Sequence, residues 1–263
     1  MEAIRFVALT ALTITAAGAA EKDVSSANFF IPYCRLASKE ALASASDAFF
    51  QGQCFGVVRA IRVAAEAMRT QQALCTDIPG NATLQQLVNT VVRYGEAHPD
   101  RAQEGFEAFT FQAFRDAWPC RNNSHRVLWG DLQMKAIICG ALMAPMVSMA
   151  HAAEDTHSAN YILQYCKLTS DQVVDSPSQS YLLGRCAGLV EGVSHMAGLL
   201  KAMQTVGDIP HLDPLLCAAV PEQVTIQEVL KVVVRYGETH PKEGPLPFTV
   251  LVLDALHDAW PCR

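Results

Sequence analysis

The sequence predicts an all-α protein built as two homologous, small, disulfide-stapled helical bundles in tandem. Three observations predict it: the chain is written twice, its apolar residues recur every three and four positions, and its cysteines form two matching sets of four. Cys34, Cys54, Cys75 and Cys120 are separated by 20, 21 and 45 residues; Cys166, Cys186, Cys217 and Cys262 by 20, 31 and 45. One ten-residue insertion in the second set reconciles the two. The text repeats at the same offsets, VVRYGEAHP (91–99) against VVRYGETHP (233–241) and DAWPCR (116–121) against DAWPCR (258–263). Asn28, Tyr33, Gly52 and Gly56 match Asn160, Tyr165, Gly184 and Gly188. The copies therefore span 27–121 and 158–263. Two long copies are a tandem duplication, since a solenoid needs more and shorter repeats.

Composition sets the outer limits. With 263 residues, 51% hydrophobic and 17% charged, the chain is globular and not disordered. A net charge of −6 argues against nucleic acid or an anionic membrane surface as partner.

The elements follow in chain order. An apolar run from Phe6 to Ala17, after Arg5, leads into small residues and then Glu21-Lys22-Asp23. That is the form of a secretory signal peptide over residues 1–20, cleaved close to Ala20, although Glu2 offsets Arg5. An exported chain keeps its disulfides, so the expected location is periplasmic or secreted.

In the first copy, Cys54, Val57, Val58, Ile61, Ala65 and Met68 recur at helical spacing, as do Cys186, Leu189, Val190, Val193, Ala197 and Leu200 in the second. Cys54 is read as the start of that helix. Thr83-Leu-Gln-Gln86 and Thr225-Ile-Gln-Glu228 have the form of a capping box and open the next helix. Gly95 or Gly237, followed by Pro99 or Pro241, is read as its end. The last helix carries Phe106, Phe109, Ala113, Phe114 and Ala117, matched by Phe248, Leu251, Ala255, Leu256 and Ala259. No β-alternating run of comparable length occurs, so each copy reads as a helical bundle with short connections.

Four cysteines allow three connectivities. Cys75 lies just before the capped helix and Cys120 just after the following one, so antiparallel packing would bring them to one end. That favours Cys75–Cys120 with Cys34–Cys54, and Cys217–Cys262 with Cys166–Cys186.

Between the copies, residues 122–153 form a linker containing a second signal-peptide-like segment at 134–152. A basic residue follows Met134, an apolar run comes next, and Ala150-His151-Ala152 fits a cleavage site. The run is short and Pro145 interrupts it, so no stable membrane span is expected. Trp129-Gly130-Asp131 requires a purine-rich codon run just upstream of Met134, which suggests two tandem genes joined in one frame. The other reading is a hydrophobic linker helix. Sequencing the N-termini of the exported products is expected to find one near Ala153; a single intact polypeptide would rule out separate products. The ninth cysteine, Cys139, lies inside this segment, and without it nine becomes four plus four.

No catalytic constellation stands out: HExxH, CxxC, GxSxG and a phosphate-binding glycine loop are all missing from the sequence, so no enzyme is expected. The acidic–histidine pair found in both copies, Glu96 with His98 and Glu238 with His240, sits in the last turn before a proline. His98 there complements the helix C-terminal dipole, with Arg93 pairing to Glu96 at i,i+3. Tyr94 and Tyr236 read as core aromatics with hydroxyls at the rim. Trp118 and Trp260 read as covers for the terminal cystines. The eight histidines show no repeated ligand spacing, so neither a metal site nor a cofactor is expected. The largest difference between copies is the segment 207–216, whose Asp208, His211 and Asp213 are the candidate partner-binding residues, since recognition is carried on loops more often than on helices.

These elements together resemble the Rap1a/Tai immunity proteins. The matching features are Cys34, Gly52-Gln-Cys54-Phe-Gly56, Cys75 with Pro79 and Thr83, Tyr94, His98-Pro99 and Trp118-Pro119-Cys120. The second copy supplies Cys166, Gly184-Arg-Cys186-Ala-Gly188, Cys217 with Pro221 and Thr225, Tyr236, His240-Pro241 and Trp260-Pro261-Cys262. The resemblance implies a small, dimeric, all-α, disulfide-bonded periplasmic protein that plugs a peptidoglycan amidase effector of a type VI secretion system. It implies inhibition by binding, with the two copies pairing as a pseudo-dimer or the chain forming a homodimer. The matching motifs are scaffold, so no partner-contacting residue carries over. The rival expectation is a general periplasmic helical protein-binding or scaffold module with no toxin.

Overall fold

The computed structural model describes residues 23–37, 44–67, 75–120, 157–168, 176–206 and 217–262. The segments 1–20 and 134–152, Cys139, and the loop carrying Asp208, His211 and Asp213 lie outside the described residues.

Among the described residues the structure is helical, with isolated bridges and no strand. The first copy contains α1 (Ala27–Ala37), α2 (Ala45–Ala67), α3 (Leu84–Ala97) and α4 (Phe106–Ala117). The second repeats them as α5 (Ala159–Cys166), α6 (Pro177–Val206), α7 (Ile226–Thr239) and α8 (Phe248–Ala259). The capping boxes form as the sequence pattern requires. Thr83 Oγ1 accepts from the Gln86 backbone N–H, and the Gln86 side chain accepts from the Thr83 N–H at 2.8 Å. Thr225 and Glu228 repeat the arrangement. Thr83→Ala removes the side-chain acceptor of the Gln86 N–H and is expected to lower stability by about 1 kcal/mol, read by urea unfolding. No loss beyond experimental error would show that water serves that donor equally well.

Each copy encloses its own core. In the first, Val57, Ile61, Leu87, Val91, Phe106, Phe109 and Phe114 are buried together; in the second, Leu189, Val190, Val233, Phe248, Leu251 and Leu256. The disulfides are Cys34–Cys54, Cys75–Cys120, Cys166–Cys186 and Cys217–Cys262. Thr76 bridges to Pro119 and the Asp77 N–H donates to the Trp118 carbonyl, so the strap before α3 lies against the end of α4 beside the second cystine. Ala218 and Pro261 repeat that bridge in the second copy.

Three local expectations are corrected. Cys54 does not start its helix: α2 begins at Ala45, and the half-cystine lies well inside it. Gly52 and Gly56 weaken the helical signal there, and packing overrides propensity. Gly95 does not end α3, which continues to Ala97 and is stopped at His98-Pro99. A Cβ on Gly95 would lie 2.4 Å from the Ile31 Cδ1, so this glycine makes room for α1. Finally, Glu96 pairs with Arg35 and not with Arg93, which instead donates to the Thr90 hydroxyl.

The long helices α2 and α6 hold the two copies against each other. Along α2 and α6 the glycines let backbone meet backbone. A Cβ on Gly184 would lie 1.9 Å from the Phe49 carbonyl oxygen, and one on Gly52 1.9 Å from that of Tyr181. Phe49 and Tyr181 are equivalent positions in the two copies, so the contact has two-fold pseudo-symmetry. Gly56 against Arg185 and Gly188 against Gln53 repeat the relation one turn on. The helices also exchange core residues: Met196 and Leu200 of α6 join the first copy's core, and Ala60 of α2 joins the second's. Such a helix is apolar on more than one side because it is covered on more than one side.

Candidate functional site

The same tyrosine–histidine element ends α3 and α7. The Tyr94 ring stacks on His98 with centroids 4.1 Å apart, and Tyr236 on His240 at 4.0 Å. Each histidine Nδ1 lies 3.0 Å from the carbonyl oxygen of its tyrosine. A carbonyl only accepts, so Nδ1 carries the proton and the imidazole caps the helix C-terminus. Glu96 is drawn away to Arg35 at 2.9 Å, and Glu238 to Lys167 at 2.9 Å. These exposed pairs brace α1 and α5 and contribute about 0–1 kcal/mol each. The carboxylate and imidazole are thus employed separately, in structural tasks.

Around this shared stack the copies diverge in charge. In the first, Arg101 donates both to the Tyr94 hydroxyl and to Glu104. Tyr94, His98, Arg101, Gln112, Arg115 and Asp116 line a cleft of about 510 Å³ beside the Cys75–Cys120 cystine. In the second copy the positions of Arg101, Gln112, Arg115 and Asp116 are held by Glu243, Asp254, His257 and Asp258. The Tyr236 hydroxyl donates to Glu243 at 3.2 Å, where that of Tyr94 accepts from Arg101. Two arginines and one carboxylate edge the cleft at Tyr94, whereas three carboxylates and a histidine hold the equivalent positions in the second copy.

Burial, and then the adjoining Glu243 carboxylate, push the Tyr236 hydroxyl up to about 12. Burial also pushes the Asp254 carboxyl up, with Glu243 adding to it. For a phenol raised in the folded state, only the unfolded chain ionises between the ordinary value near 10 and the folded one. The stability Tyr236 provides is therefore intact below about pH 10 and lost as pH rises toward about 12. Tyrosinate absorbance is expected to show a late-titrating phenol that Tyr236→Phe removes. Titration of every tyrosine near pH 10 would contradict this.

Trp118 packs on Phe114, with centroids 5.8 Å apart, and borders a second cleft of about 550 Å³ with Pro79, Asn81, Gln86 and Arg93. The Cys75–Cys120 cystine lines the first cleft instead. Trp260 is half-buried against the second copy's core.

A further group forms only where the copies meet. Glu107 of α4 reaches His195 of α6, Oε1 to Nδ1, at 2.9 Å. Gln53 of α2 donates to Glu191 of α6 at 2.5 Å. Burial, and then the nearby Glu107 carboxylate, push the Glu191 carboxyl up; the hydrogen bond to Glu107 pushes His195 up. Sequence reasoning missed this group because it sought ligand spacings repeated in both copies. The equivalent positions are Thr249, Arg59 and Val63, which leaves no trace of it in the repeat.

A family model described as Rap1a immunity proteins matches residues 26–120 and again residues 158–262. No curated protein matches the chain, and no solved structure matches it.

Proposed function

The chain belongs to the Rap1a immunity protein family, whose model it matches twice, and from that premise we propose that it is a periplasmic, non-catalytic inhibitor of a peptidoglycan amidase effector delivered by a type VI secretion system. The double family match carries this reading. Family membership supports an immunity-type role and a protein partner. Four disulfides fit an oxidising compartment. Among the described residues no helix is long and apolar enough to cross a membrane.

In this proposal residues 27–121 and 158–263 are the two domains, and they act as a pair within one chain through α2 and α6. A family homodimer would show its partner two identical faces; this pair shows an arginine-edged cleft at Tyr94 and an acidic set of side chains at the equivalent positions around Tyr236. The two copies therefore engage different chemistry, on one effector or on two. The loop bearing Asp208, His211 and Asp213 belongs to the second copy alone and is the proposed additional contact.

The test is co-expression of the full chain with a candidate amidase exported to the periplasm. Restored growth, together with a stoichiometric complex on size exclusion, is the expected result. Arg115→Glu, at the rim of the first cleft, is expected to weaken protection without unfolding the chain. No protection, with no peptidoglycan hydrolase recovered from periplasmic extract, would overturn the reading.

A further inference from the structure

We propose that Glu107, Glu191 and His195 form a divalent-metal site that bridges the two copies and takes one ion of the zinc class. The inference stands apart from the immunity reading, because it concerns how the copies are tied together and not what they bind.

The geometry is that of a ligand set drawn from two helices. Glu191 and His195 are four residues apart on α6, which places both side chains on one helix face. Glu107 approaches from α4 of the other copy. One ligand atom from each of the three lies within 4.8 Å of the others. Metal–ligand bonds of about 2.0–2.2 Å place donor atoms on one ion roughly 3–4 Å apart, so small side-chain rotations close the site.

The electrostatics favour a cation with more than one charge. Two carboxylates face each other here, and the Glu107 side chain is only 12% exposed. A protonated His195 offsets one carboxylate and leaves the other pressing against it. A divalent ion would replace the proton shared between His195 Nδ1 and Glu107 Oε1 and neutralise both acids. Gln53 already holds one oxygen of Glu191, the kind of outer hydrogen bond that orients a ligating carboxylate. One imidazole nitrogen with two carboxylates suits zinc-class ions better than calcium or magnesium, which favour oxygen alone. His195 and Glu191 also line a groove of about 610 Å³ with Val220 and Glu222, which gives the ion a route in and room for water as a further ligand.

The group has no counterpart in the repeat. Some bracing pairs occur twice, as Arg35–Glu96 and Lys167–Glu238 do, and others once, as Arg62–Glu66 and Arg101–Glu104 do, so the asymmetry bears on stoichiometry alone. At the site related by the pseudo-two-fold stand Thr249, Arg59 and Val63, which offer no ligand set. The stoichiometry is therefore one ion per chain despite two copies of the domain.

The experiment titrates Zn²⁺ into the full-length, tag-free, chelator-treated protein by calorimetry, with Co²⁺ absorption as a second probe. One saturable equivalent is expected, with a Zn²⁺-dependent rise in melting temperature. His195→Gln and Glu107→Gln, both close in shape to the native residue, are expected to weaken binding more than tenfold while far-UV circular dichroism stays native. Gln53→Ala is expected to weaken it by about tenfold. Binding should fall as pH drops and protons compete for His195. The proposal is overturned by the absence of saturable binding. It is equally overturned by affinity unchanged in both glutamine variants, or by a His195→Gln stability loss that is the same with and without Zn²⁺. The last result would leave a plain ion pair.

Discussion

Gly184→Ala is expected to destabilise the chain by at least about 3 kcal/mol, the upper part of the range for an overfilled core. The new methyl would stand 1.9 Å from the Phe49 carbonyl oxygen, a separation no real contact shows. The obstacle is backbone, held inside the 23-residue helix α2, so no side chain can swing aside. The helices must part, and parting them also withdraws Met196 and Leu200 from the first copy's core. Gly198→Ala in the same helix is the internal control. Nothing lies within 4 Å of a Cβ there, so the substitution removes only a glycine's helix penalty and is expected to stabilise by up to about 1 kcal/mol. Urea unfolding of both variants decides the matter. Equal effects would mean that α2 and α6 do not meet at backbone distance in solution. Because Gly52 occupies the symmetric contact, Gly52→Ala/Gly184→Ala is expected to cost less than the sum of the single changes.

The second large effect is loss of a cystine. Cys75→Ser/Cys120→Ser opens a loop of 45 residues, and the chain-entropy relation assigns that closure roughly 4 kcal/mol. Cys34→Ser/Cys54→Ser opens one of 20 residues, worth roughly 3 kcal/mol. Net stabilities run about 5–15 kcal/mol, so removing both from one copy is expected to leave that copy unfolded under ordinary conditions. The single-bridge variants are expected to melt on the order of 10 °C lower than the native protein, by calorimetry. A drop of only a degree or two would show that the helices hold the closed geometry without the bond. The proposed site at Glu107, Glu191 and His195 offers a further check, because a first copy unfolded by cystine loss should also lose its zinc.

The two results draw on different kinds of information. Cystine spacing and helix order are properties of the chain itself: Cys75 and Cys120 flank two successive helices, and a reader of the sequence can place them at one end. The capping boxes at Thr83 and Thr225 are likewise local, needing only residues three apart. The glycines behave in the opposite way. Gly52 and Gly184 show in the sequence only as matching positions, and Gly95 looks like a stop signal. Each is set by a neighbour remote in sequence, Tyr181, Phe49 and Ile31 respectively. Helix α1 carries little sequence signal, since Pro32 lies within it and its length of 11 residues allows few periodic positions.

By itself the sequence determined the duplication, the helical class, the starts of the two capped helices and the two matching sets of four cysteines, and it pointed to one cystine pairing and to the family. All of these follow from local chemistry or from self-similarity at a fixed offset. Only the tertiary structure decided that α2 and α6 join the copies through their glycines. It also showed that Arg101 and Glu243 approach equivalent tyrosine hydroxyls, of Tyr94 and Tyr236, from the same position with opposite charge. The group at Glu107, Glu191 and His195 likewise exists only in three dimensions, since its members come from two copies and have no counterparts in the repeat. The physical reason is the same throughout. A contact between copies is set by a neighbour remote in sequence: Gly52 and Gly184 do repeat, but nothing local says what they make room for, and Glu107, Glu191 and His195 do not repeat at all.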